Sequence, residues 1–120
     1  MSQKKSFSLK NALLQSANTA IAHTLFGVPV HIRRLTVCEL MDYDEALGKA
    51  QTESDQKAAT FLGAQLILSA LVDEQGKSVP ASDLPSPAEL LSAHDNAALF
   101  DAIRAIQSHS YGTLEEAEKN

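Results

Sequence analysis

No acidic side chain precedes Glu39, no tryptophan occurs anywhere, and Cys38 is the only cysteine. A single thiol excludes an internal disulfide and suits a reducing cytosol. The MSQKKS start is not followed by an unbroken apolar segment, because Asn11, Gln15, Ser16 and Asn18 interrupt it. Neither a signal peptide nor a membrane span is expected. Aromatic residues make up only 5% of the chain. Alanine and leucine must therefore supply most of the core, which favours closely packed helices over a β-sandwich.

The familiar signatures of catalysis are missing as well. There is no GxGxxG or GxxxxGK[ST] phosphate loop. His23, His31, His94 and His109 have neither HxxxH nor HExxH spacing, and Cys38 has no cysteine beside it, so no metal and no cofactor are expected. Ser108, His109 and Ser110 adjoin in sequence without forming a nucleophile motif. Asp42 with Asp44, and Glu115 with Glu116, read as solvated acidic faces, because acid/base pairs need converging and partly desolvated carboxyls. No enzyme is expected.

Charge is distributed unevenly. The first 34 residues carry Lys4, Lys5, Lys10, Arg33 and Arg34 without an acid, a charge of +5; the remaining 5 basic and all 15 acidic groups give −10. Five basic groups spread along a leader make no dense patch, so nucleic acid is not expected as a partner. The plain reading is a basic leader on a solvated acidic body. The sharper one is a bipolar molecule whose body attracts a basic partner, or whose arm pairs with a neighbouring copy.

What is present is a very apolar run at residues 58–72, AATFLGAQLILSALV. Its length, its alanines and its few β-branched residues favour a helix, and a helix this apolar must be covered on most sides. Gly63 inside it reads as a close helix crossing or a docking point for a partner helix. Residues 9–17 can form a short helix with Leu9, Leu13 and Ala17 on one face, too short to stand alone. Gly27 between two β-prone segments predicts a hairpin over 20–35, with a longer first helix reaching Leu25 as the alternative, and Pro29 at an edge or strand start. Thr36 and Glu39 have capping-box spacing, Leu35 and Leu40 staple spacing, and Gly48 suits the end of that helix. The 48–55 stretch then reads as a polar connector. Ser86, Pro87 and Glu89 announce another helix, and Asp95 caps one running from 96 to about 109 with Leu99, Ile103 and Ile106 on its apolar face.

The expected fold is mainly α with a small N-terminal β-hairpin (α+β), a compact bundle of four to five helices around a central helix 56–73. Residues 1–19 would be a basic leader, partly disordered or a short helix, residues 20–112 one helical domain, and 113–120 an acidic tail. If the side of the central helix bearing Phe61, Ala64 and Leu68 is open, it is the candidate protein-binding groove. If the bundle covers it, binding moves to the hairpin or to the 96–109 helix with Leu99, Ile103 and Ile106.

The order of these elements resembles the tail assembly chaperones of long-tailed bacteriophages. The resemblance spans roughly residues 28–112. It is carried by Arg33, Leu35, Thr36 and Glu39 in VPVHIRRLTVCEL, and by Leu66, Leu71, Val72, Asp73, Gly76 and Lys77 around a D-x-x-G-K turn. Related chains often have an Asn-Gly pair after the last helix, where this one has Ser110-Tyr111-Gly112. The resemblance implies a non-enzymatic factor of the host bacterial cytoplasm, absent from the finished virion. It would bind the tape-measure protein and recruit tail-tube subunits, with self-association possible. It also implies the short, non-frameshifted form of a product made in two lengths. A head–tail connector or other structural protein, and a bacterial protein-binding adaptor, are the alternatives.

Overall fold

The computed structural model describes residues 8–15 and 17–112; the 113–120 tail, residues 1–7 and residue 16 lie outside them. The order is α1 (Leu9–Leu13), β1 (Ile21–Leu25), β2 (Val28–Ile32), α2 (Val37–Thr52), α3 (Gln56–Ala70), β3 (Leu71–Val72), a 3-10 turn (Ala81–Asp83), α4 (Pro87–Ala93) and α5 (Asn96–Tyr111). The mainly α architecture with an N-terminal hairpin is as the sequence predicts.

The hairpin closes through Phe26 and Gly27, both at positive φ (54° and 76°). That conformation matches the right-handed twist of the flanking strands. Leu25 pairs with Val28 and Ile21 with Ile32. Pro29 sits within β2, which is the middle strand of the order β1-β2-β3. It costs no hydrogen bond towards β3, because β3 pairs only with His31 and Ile32.

Thr36 and Glu39 form the predicted capping box, but α2 does not stop at Gly48. A Cβ at Gly48 would meet open space, and burial of Ala50 beyond it carries the helix another turn. The real terminus is a Schellman closure. Ser54 N–H donates to the Gln51 carbonyl at 3.1 Å and Asp55 N–H to the Ala50 carbonyl at 2.8 Å. Ser54 holds the left-handed position at φ 56° where glycine is usual. Asp55 then turns the corner at once, its carboxylate accepting from Ala58 N–H at 3.0 Å as the N-cap of α3.

The central helix ends at Ala70 instead of at residue 73. Arg33 N–H donates to the Ala70 carbonyl at 2.9 Å, so the sheet takes over the last carbonyl and draws Leu71 and Val72 into β3. Asp73 therefore does not face the negative end of a helix. Its carboxylate accepts from the N–H groups of Gln75 and Lys77, at 2.9 Å each, and organises the D-x-x-G-K turn.

The core lies where α3 meets everything else. Ile32, Ile67 and Ile106 are its largest fully buried side chains, joined by Leu25, Leu35, Leu40, Leu66, Leu90 and Leu99. Gly63 permits the closest approach: a Cβ there would lie 2.6 Å from Ile103 Cδ1. The crossing reading of Gly63 is the one the packing supports.

Candidate partner-binding surface

Two of the six candidate residues read from sequence, Ala64 and Ile106, are fully covered, and Leu99 is nearly so. They hold this chain together and have no surface to offer. Leu68 and Ile103 are partly buried against the same core. Phe61 alone is open, at 37% exposure. Five of the six thus meet in or against one core, and Phe61 is the one that opens outward.

The open apolar surface beside Phe61 is a trough along the seam of α2 and α3. One end, about 500 Å³, is lined by Ala46, Ala50, Ala58, Phe61 and Leu62 with Lys49, Glu53, Asp55 and Lys57 at its rim. The other, about 330 Å³, continues it past Leu35, Tyr43, Leu66 and Ser69, with Glu39 and Asp42 at the edge. Ala46, Leu62 and Gln65 line both hollows, which adjoin along the seam. Small residues make it: alanines at 46 and 50 on one wall and 58 on the other hold no side chain long enough to fill the seam. On its far side Phe61 also borders a second hollow of about 560 Å³ with Thr60, Ala88 and Leu91. Phe61 is thus a ridge between two apolar depressions.

Sequence reasoning missed this channel because it ended α2 at Gly48. Extending the helix to Thr52 puts Ala46 and Ala50, four apart, on the face towards α3, and that spacing was the available signal.

Electrostatics fix one end. Arg33 donates from both terminal nitrogens to Glu39, at 2.9 and 2.8 Å. The same carboxylate accepts from Thr36 N–H at 2.8 Å. These charge-assisted bonds, the Arg33 fork first, hold the Glu39 carboxyl down at about 2 against a partial cost of burial, and they raise Arg33. Burial, with the Asp44 carboxylate beside it, pushes the Tyr43 phenol up, so it is neutral on the channel wall at physiological pH.

A second cluster pins the hairpin to the end of α5. Arg34 N–H donates to Thr19 Oγ1 at 2.9 Å, and Leu35 N–H to Ser110 Oγ at 2.9 Å. His109 Nε2 lies 2.8 Å from the Thr19 carbonyl, so that nitrogen carries a proton and donates. At the hairpin tip the Phe26 ring stacks on His94, centroids 4.1 Å apart. The four histidines are thus dispersed. Among the described residues no group of three His, Cys, Asp or Glu side chains could hold a metal ion, and no helix is long and apolar enough to cross a membrane.

The geometry defines a class: a small α+β domain with an open apolar trough along one helix seam, framed by an electrostatically locked helix start. A family model described as phage tail assembly chaperone protein, TAC, matches residues 8–120. The chain belongs to that family. No curated protein and no solved structure matches it. In the structure, the residues that carried the resemblance are scaffolding: Arg33, Thr36 and Glu39 form the ionic lock, Leu35 is core, and Asp73 to Lys77 form the turn after β3.

Proposed function

We propose that the chain is a non-enzymatic assembly factor that shields an apolar helical stripe of the phage tape-measure protein and recruits tail-tube subunits around it. It acts in the host cytoplasm and leaves before the virion is complete. The observation that carries this reading is membership of the tail assembly chaperone family over residues 8–120.

The channel between α2 and α3 gives the reading a physical footing. Its floor, from Ala58 to Ser69 on α3, is about 16 Å long at the helical rise per residue. That accommodates about three turns of an amphipathic helix, the unit in which a long helical client would expose its stripe. Phe61 on the ridge supplies the aromatic anchor that such interfaces concentrate on.

Co-expression with the tape-measure and tail-tube proteins of the same gene cluster tests the proposal. The tape-measure protein should be soluble and captured with the chain, at low and at high salt, and purified virions should lack the chain by mass spectrometry. No capture at either salt overturns the reading. A stable ring retained in the virion would identify a connector instead.

A further inference from the structure

The two edges of the small sheet are finished differently. Leu25 faces Val28 across the two-residue turn as a hydrogen-bonded pair, which makes His23 with Val30 and Ile21 with Ile32 hydrogen-bonded pairs too. Ala22 and Thr24 are the alternate residues, so their N–H and C=O groups point away from β2. On the far side of β2 the outward positions are Pro29, which has no N–H, and His31, which pairs with Val72 of β3. No β2 donor is left open there. Along β1, nothing among the described residues pairs with the outward groups of Ala22 and Thr24. Its sequence, IAHTL, carries none of the lysines, glutamates or prolines that blunt an edge.

A hollow of about 470 Å³ adjoins this edge. The sheet contributes only β1 and its turn to the lining, and the opposite wall is His94, Ala98, Asp101 and Ala102. Ala98 and Ala102, one turn apart on α5, leave the space open. The lining's single carboxylate, Asp101, is already bridged to Arg104 at 3.0 Å. Four open backbone groups at strand spacing call for an extended chain, and a hollow whose charge is paired calls for an uncharged side chain. We propose that β1 accepts a fourth strand, an extended apolar segment of a tail-tube subunit that pairs along Ala22 and Thr24 and sets one side chain into the hollow. The proposal rests on the recruitment reading above and gives it a surface separate from the α2–α3 trough. The chain's own acidic tail is the wrong occupant: Glu115, Glu116 and Glu118 are poor strand residues and bring like charge towards Asp101.

Amide hydrogen exchange on the isotope-labelled full chain, followed by NMR with and without the tail-tube protein of the same gene cluster, tests the proposal. In the free chain the Ala22 and Thr24 amides should exchange at least about tenfold faster than those of His23 and Leu25, which are bonded to β2. The tube protein should slow both by at least about tenfold. Thr24→Pro deletes one outward N–H and spares the β1–β2 bonds, so it should weaken tube binding at least about tenfold and leave tape-measure capture unchanged. Tube binding that leaves both amides fast, or that is unaltered in a folded T24P, overturns the edge proposal and spares the recruitment reading. No tube binding at all overturns both. Ala22 and Thr24 amides already slow in the free chain would show the edge taken by the tail or by a second copy, and would equally overturn the proposal.

Discussion

Arg33 and Glu39 meet through two parallel hydrogen bonds, 2.9 and 2.8 Å long, across the junction where the sheet hands the chain to α2. Because Glu39 is also the N3 member of the Thr36 capping box, one carboxylate both starts the helix and ties it to the strand before it.

That double role has a pH signature. The Glu39 carboxyl is held at about 2 in the folded chain, below its ordinary 4.5. Its contribution is fully present above the unfolded value and drains away as pH falls from about 4.5 towards 2. The Glu39 side chain is 40% exposed, so solvent screening cuts the contribution to about 1–2 kcal/mol. Glu39→Gln keeps an oxygen for the Thr36 N–H but removes the charge and sets an NH2 donor where Arg33 Nη2 needs an acceptor. It should lower stability by that amount at pH 7 and flatten the acid limb of a denaturation series. An unchanged acid limb would show the fork contributes nothing.

Two backbone positions should respond in opposite directions. Ser54 is left-handed at φ 56°, so Ser54→Gly should stabilise by about 0.5–1 kcal/mol. Gly76 is also left-handed, at φ 81°, and a Cβ there would strike the Asn18 carboxamide. Gly76→Ala should cost about 1–3 kcal/mol. Urea denaturation of the two variants checks both signs.

The α3–α5 crossing is open to a double-mutant cycle. Gly63→Ala gains about 1 kcal/mol of helix propensity but drives a methyl against Ile103 Cδ1. Ile103→Val removes that carbon at a cost of about 0.5–1.5 kcal/mol. The double variant should be more stable than the sum of the singles by at least about 0.5 kcal/mol. Strict additivity would place the contact elsewhere.

Phe61→Ser should separate binding from folding. Its ring is partly open on the ridge, so thermal stability should fall by no more than about 1 kcal/mol. Tape-measure capture should weaken at least about tenfold, as loss of an aromatic anchor does. Equal capture by the variant would move the client off this ridge.

Much of the fold was legible because local chemistry agreed with the global arrangement. Ser86-Pro87-x-Glu89 and Thr36-x-x-Glu39 named their helix starts, and Gly27 named the hairpin. What misled was punctuation without consequence. Gly48 looks like a stop, yet it faces open space inside a continuing helix, and the true stop uses a serine. Helix 56–73 lost its last turn to a long-range bond from Arg33, which no local pattern encodes. The candidate site suffered for a related reason. Apolar periodicity marks the residues a protein hides, so it found Ala64, Leu99 and Ile106. A channel walled by alanines is defined by side chains that are too small, and the Ala46–Ala50 spacing that marks it shows only once α2 is carried past Gly48.

The handover at Ala70 makes α3 and the sheet a single lever. A body wedged between α2 and α3 pushes on a helix whose end is bonded to Arg33, and Arg33 is in turn clamped to the first turn of α2. A chain of direct contacts thus runs from the α2–α3 seam through Arg33 to the hairpin, whose tip rests on His94 before α5.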